Sequence, residues 1–165
     1  MRGVYMEQLA TFSRVDRDPR GRVVTVAYYA LVDSKRFQPE GEPAPISARV
    51  MVPWPGETGG PVDAVGLDGK RLPLFLDHAD ILGVAVKRLR GKLDYTPVGL
   101  QLLPTEFTLR QLQEIHEAVR GEPLNKDSFR RRMLASGMLE ATGARENDVS
   151  YRPAELYRFI RRSAT

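Results

Sequence analysis

Between Phe107 and Gly137 the chain carries two consecutive sets of helix start and stop signals, and no other stretch constrains the fold as tightly. Thr108 is followed three residues later by Gln111, the spacing of a capping box in which each side chain satisfies a backbone N–H of the other. Phe107 just before the cap and Leu112 four residues after it have the spacing of a hydrophobic staple. Leu109, Leu112, Ile115 and Val119 recur on one helical face. Gly121 can take the left-handed conformation that ends a helix, and Pro123 prevents continuation. The signals then restart. Asn125 is the next N-cap, Leu124 and Phe129 form a second staple, Phe129 and Met133 share a face, and Gly137 closes the helix. Two short helices in this order form a helix-turn-helix. Met138 to Thr142, a polar tip over 143–148 and the apolar stretch 154–160 then form a β-hairpin, the wing.

The second of these helices carries Lys126, Ser128, Arg130, Arg131 and Arg132. With Phe129 and Met133 facing inward, Arg131, Ser128 and Ala135 fall on the opposite face, flanked by Arg130 and Arg132. Arginine reads guanine edges bidentately, serine bonds bases or phosphate, and alanine permits close approach. Arg145 at the wing tip and Arg152 are placed to hold phosphates or enter a minor groove. The bland alternative is a solvated basic helix. Charge distribution favours DNA: residues 1–80 carry a net −1 and residues 81–165 a net +5. The excess therefore lies where the helix-turn-helix lies.

Upstream, the chain reads as β structure. Residues 4–13 and 22–33 are rich in β-formers, the second run nearly continuous as in a strand buried on both faces. Arg17-Asp18-Pro19-Arg20-Gly21 is the turn between them. Residues 34–47 read as a loop, 48–53 as a strand, and 62–67 with 72–76 as a hairpin about Asp68-Gly69. The pattern becomes helical over 78–93, with Asp77 as the expected N-cap. Val98 to Leu103 form a further apolar stretch. The expected class is α+β, with a β region over residues 1–76 and a winged-helix domain over 77–165.

Several chemistries are excluded. There is no cysteine, so disulfides, thiolate catalysis and cysteine zinc sites are absent. A cytoplasmic compartment is expected, and no apolar run is long enough to span a membrane. The two histidines make no metal-ligand spacing, and His116 is expected on a helix edge. Gly56 to Gly60 lack the lysine and hydroxyl of a phosphate loop, and no Gly-x-Ser-x-Gly occurs. Arg14, Arg17, Arg20 and Arg22 cluster about the first turn, where guanidinium forks suit a phosphate or diphosphate. Asp16 and Asp18 interleave with them, so a charge-balanced hairpin tip is an equal reading.

Three stretches bear a resemblance: Gly3-Val4-Tyr5-Met6-Glu7-Gln8-Leu9, Arg17-Asp18-Pro19-Arg20-Gly21-Arg22-Val23-Val24 and Ala27-Tyr28-Tyr29-Ala30-Leu31-Val32. They are similar to the later strands of Nudix-type proteins. Leu76 to Leu82, Arg88 to Tyr95, Leu103 to Leu109, Leu112 to Gly137 and Arg152 to Phe159 extend the likeness. Together they resemble the NrtR family, Nudix-related transcriptional regulators of NAD metabolism. The resemblance implies a Nudix-like domain sensing ADP-ribose or a related nucleotide, a winged helix binding an operator, and a homodimer. Arg17 and Arg20 are the expected ligand-binding residues. One departure is large. The Nudix helix Gly-x5-Glu-x7-Arg-Glu-U-x-Glu-Glu-x-Gly-U, where U is bulky and apolar, holds Mg²⁺ through its glutamates. No Arg-Glu-x-x-Glu-Glu occurs in the chain, which begins near where the segment after that helix would begin. The expected first domain is thus partial and without a catalytic metal site or cofactor.

The expected function is that of a DNA-binding regulator with double-stranded DNA as partner. Two rivals stand beside it: a Nudix hydrolase of nucleoside diphosphate derivatives stripped of its catalytic helix, and an interaction module whose exposed β edges pair with another chain.

Overall fold

A computed structural model describes residues 6–32, 45–93, 102–147, 150 and 152–160. The chain divides into two compact units, Met1–Gly91 and Lys92–Thr165.

The first unit holds two small antiparallel sheets and one helix. Strands β1 (Met6–Phe12) and β2 (Thr25–Ala30) pair with a register shift between Gln8 and Ala10. The irregularity falls at Leu9, which is buried. Strands β3 (Ala48–Met51), β4 (Asp63–Gly66) and β5 (Arg71–Leu72) form the second sheet in that order. The expected Asp68-Gly69 turn joins β4 to β5: Gly66 N–H donates to Lys70 O, and Gly69 takes a left-handed φ of 84°. The fifth strand is shorter than the expected 72–76 run. Strand β2 differs in kind from its expectation. Its residues alternate between half-buried and exposed, with Val26 and Tyr28 outward, because the sheet has an open face among the described residues. The last residue of the expected strand 22–33, residues 34–44 of the expected loop and most of the apolar stretch near Val98 lie outside the described residues.

Helix α1 (His78–Lys92) matches the periodicity, but it packs with the first unit. The expected boundary at residue 77 gives way to one after Gly91. The cause is a set of ties that sequence proximity does not reveal. Arg88 donates to Leu9 O at 3.1 Å, Arg90 donates to Gly56 O at 2.8 Å and to Trp54 O at 3.2 Å, and Val62 N–H donates to Ala79 O. Gly83 lies so close to the 54–61 loop that a Cβ there would meet Gly60 O at 1.9 Å.

The second unit holds α2 (Leu109–Arg120), α3 (Lys126–Ala135) and a three-stranded sheet in the order β6 (Phe107–Thr108), β8 (Glu155–Phe159), β7 (Leu139–Arg145). Its core is Phe107, Leu109, Leu112, Phe129, Met133 and Tyr157. Both staples thus deliver their residues to one cluster. Strand β6 is an addition to the expected elements. Its two residues pair with Tyr157 and Leu156, so the staple and cap of α2 also form the edge of the wing sheet.

Candidate nucleic-acid interface

The second unit builds its exposed surface from local rules that hold closely. Thr108 Oγ1 accepts from Gln111 N–H, and Gln111 Oε1 accepts from Thr108 N–H at 2.8 Å, a complete capping box. Gly121 ends α2 at φ 76°. Asn125 Oδ1 caps α3 by accepting from Ser128 N–H at 3.0 Å. The turn between the helices is fixed by Glu117. Its Oε1 accepts from Leu124 N–H at 2.8 Å and from Gln113 Nε2 at 2.9 Å, and these bonds hold its carboxyl below the usual range. Helix α3 closes at Ser136, and Gly137 follows at φ 66°.

Phe129 and Met133 are each 2% exposed, which settles the inward face of α3. Lys126, Ser128, Arg130, Arg131 and Arg132 are exposed. Arg132 lies over the Phe129 ring at 5.7 Å. An open groove of about 740 Å³ runs between α2, α3 and the wing. It brings together Lys126, Arg130, Arg145 and Arg152, with Arg110 at one side. Ser128, Arg131 and Arg132 stand on the helix surface outside it. Arg145 is not at the wing tip as expected: it belongs to β7 and pairs with Glu155, and its Nη1 donates to Pro153 O at 3.1 Å. The groove wall also carries Glu114, Glu117, Glu155 and Tyr157, which sequence inspection did not single out. His116 is buried and packs edge-on against Phe129 at 5.0 Å, rather than sitting on a helix edge.

The expected ligand arginines are placed differently. Arg17 Nε and Nη2 donate to Asp77 Oδ2 and Oδ1 at 2.8 and 2.9 Å, and Nη1 reaches Thr25 Oγ1. Both side chains of that pair are largely shielded from solvent. Asp77 stands at the expected N-cap position of α1, its carbonyl accepting from Ile81 N–H, while its carboxylate receives the hairpin arginine. The pairing could not be read locally, since sixty residues separate the partners. Arg20 donates Nε and Nη2 to Asp18 at 3.0 and 2.8 Å and lies 5.6 Å from the Phe75 ring centre. Both guanidinium forks are thus filled by carboxylates of their own unit.

These pairs set an acid response. The Arg20 guanidinium lowers the Asp18 pKa to about 2, and the Arg17 fork lowers that of Asp77. A carboxylate with a depressed folded-state pKa contributes stability above its unfolded value near 4 and loses it as pH falls through the folded value. The first unit is expected to lose stability between about pH 4 and pH 2. Asp77→Asn should flatten that dependence in an acid titration followed by circular dichroism; an unchanged titration would separate the pair from acid stability.

Among the described residues, no group of three His, Asp or Glu side chains could hold a metal, and no helix is long and apolar enough to cross a membrane.

Comparison with known proteins agrees with this geometry. The chain is 38% identical over 155 residues to a curated Acinetobacter baylyi protein, the ADPR responsive transcriptional repressor NtrR. The match covers 94% of this chain and 56% of that protein, so the chain spans about half the length of its curated relative. The crystal structure of Shewanella oneidensis NrtR complexed with a 27mer DNA aligns with a TM-score of 0.63 at 32% identity, covering 94% of this chain and 64% of that one. A MutT/nudix family protein from Enterococcus faecalis aligns with a TM-score of 0.66 at 24% identity, over 94% of this chain and 62% of that one, a likeness of fold. The family described as the NrtR DNA-binding winged helix domain matches residues 99–159, the segment that holds both capped helices and the wing. Over residues 99–159 the chain carries a match to the NrtR DNA-binding winged helix domain, and along 94% of its length it is similar to NrtR proteins.

Proposed function

We propose that this chain is a sequence-specific DNA-binding regulator whose recognition element is α3, assisted by the wing. The observation that carries the reading is the exposed basic surface of a helix anchored by only Phe129 and Met133. Arg131, opposite the buried face, reads base edges, with Ser128 beside it. Lys126, Arg130, Arg145 and Arg152 set the register on phosphates. Arg132 flanks the helix, held against Phe129. The relative's printed name makes ADP-ribose the proposed effector and repression the proposed output. Of the two hairpin arginines, Arg20 is the one able to turn toward a diphosphate, because its side chain is exposed whereas that of Arg17 is buried against Asp77. The regulator works in the cytoplasm, where the bacterial chromosome lies, and is not itself a hydrolase, since its sequence carries no metal-binding Nudix motif. A two-fold homodimer would set two copies of α3 about 34 Å apart on a palindromic site.

Duplexes selected from a random pool by the wild-type chain provide the test. Arg131→Ala should weaken binding to the selected duplex by on the order of tenfold or more, the value of a good bidentate base contact, and relax preference at one base pair. Equal binding of selected and scrambled duplexes by the wild type would overturn the reading.

A further inference from the structure

The turn between β5 and α1 holds the only non-glycine residue at positive φ among the described residues. Leu76 sits at φ 48°. A leucine takes that left-handed conformation only at a cost. The turn is closed by His78 N–H, which donates to Phe75 O at 3.0 Å. It also points two large apolar side chains outward: Phe75 is 59% exposed and Leu76 41%. Packing accounts for neither the strain nor the exposure. A strained backbone next to an exposed aromatic is the kind of feature that binding surfaces retain.

The buried Arg17–Asp77 pair ties this turn to the hairpin between β1 and β2. Arg20, on the same hairpin, lies over the Phe75 ring, its Cζ 5.6 Å from the ring centre. The His78 ring packs against Phe75 at 6.3 Å and 75°. With more than half of its surface exposed, Phe75 keeps room for one further planar partner. Arg20 gives one N–H of Nε and one of Nη2 to Asp18. A guanidinium has five N–H donors, so three remain, forming its second edge, the edge that fits a phosphate. The apolar area is about one ring wide and is bordered by a guanidinium and an imidazole. That suits a small heteroaromatic ring carrying an anionic group better than a protein surface, which needs a far larger patch.

We propose that Phe75 is the stacking platform for the base of a nucleotide, with Arg20 holding a phosphate of the same molecule. This rests on the proposed nucleotide effector and adds the place of its base. The test uses three probes on the whole chain: ADP-ribose, adenosine, which has the base without phosphate, and ribose 5-phosphate, which has the phosphate without the base. Nuclear magnetic resonance titration reads weak as well as tight association. Phe75→Ala should weaken ADP-ribose and adenosine about five- to tenfold, the value of base–aromatic stacking at an exposed site, and leave ribose 5-phosphate unchanged. Arg20→Ala should do the reverse: on the order of a tenfold loss for ADP-ribose and ribose 5-phosphate, with adenosine unchanged. Phe75→Trp keeps a stacking face and should retain binding. Trp54 is the only other tryptophan, so the added indole emission should be quenched by adenosine.

A Phe75→Ala chain that loses all three probes together, in step with a lower melting temperature, would make Phe75 structural and overturn the site. If ADP-ribose binds the wild type and Phe75→Ala alike, the stacking site falls and the effector reading stands. If none of the probes binds the wild type, the effector reading falls and takes this site with it.

Discussion

Phe129→Ala is expected to leave the second unit unable to hold its fold at physiological temperature. Phe129 is 2% exposed and contacts the one cluster that unites both helices and the wing sheet. Large-to-small substitutions of buried aromatics cost about 3–5 kcal/mol, the lost transfer free energy plus the cavity left behind. A domain of this size commonly has a total stability of roughly 4–11 kcal/mol, so one change removes a large share. His116 packs edge-on against the same ring and Arg132 lies over it, so both lose a neighbour at once. Thermal melting should show a steep fall for this variant, with loss of DNA binding. Phe129→Leu, which keeps much of the volume, should retain most of both. A Phe129→Ala protein that melts like wild type would show that the cluster is not what holds the unit together.

Gly83→Ala is expected to destabilise the first unit, against the usual direction of that change. In an ordinary helix interior, alanine is better than glycine by about 1 kcal/mol. Here the added carbon would meet a backbone carbonyl, Gly60 O, at 1.9 Å, far inside contact distance. Backbone cannot rotate away as a side-chain tip can. Either α1 moves off the 54–61 loop or the loop breaks its own bonds, including those from Trp54 Nε1 to Gly60 O and Pro61 O. Overpacking of this kind typically costs about 1–3 kcal/mol, and a clash with backbone places it at or above the upper end. Amide hydrogen exchange should show faster exchange along α1 and in the 54–61 loop. Unchanged protection there, or a higher melting temperature, would mean that the loop yields freely.

What the sequence made legible follows the range of the interactions. Caps, staples and helix ends are decided within four or five residues, and Thr108, Gln111, Gly121, Asn125 and Phe129 all take the expected places. The outward face of α3 follows from the inward one, so its basic residues were legible as a set. Strand β6 was not, because two residues acquire strand character only by pairing with Leu156 and Tyr157, some fifty positions on. Asp77 takes the expected N-cap position, but the partner of its carboxylate was not legible, for a related reason. The local rule favours a cap, but a bidentate arginine from the hairpin competes for the same oxygens. The boundary between units was placed too early because α1 resembles the helices after it in pattern, while its partners lie before it. Arg145 was assigned to the tip because hairpin length can be counted but the register shift between Ala141 and Arg145 cannot.

Of the ten residues in α3, only Phe129 and Met133 are buried. The other eight owe little to folding, so on the proposed reading of α3 their identities answer to the DNA. On that reading a lineage carrying this unit could drift to a new operator by substitutions on α3 alone, without passing through an unfolded ancestor. The turn set by Glu117 is the fixed part of that arrangement. It keeps each rewritten helix at the same angle, so old and new operators would share their spacing while differing in their bases.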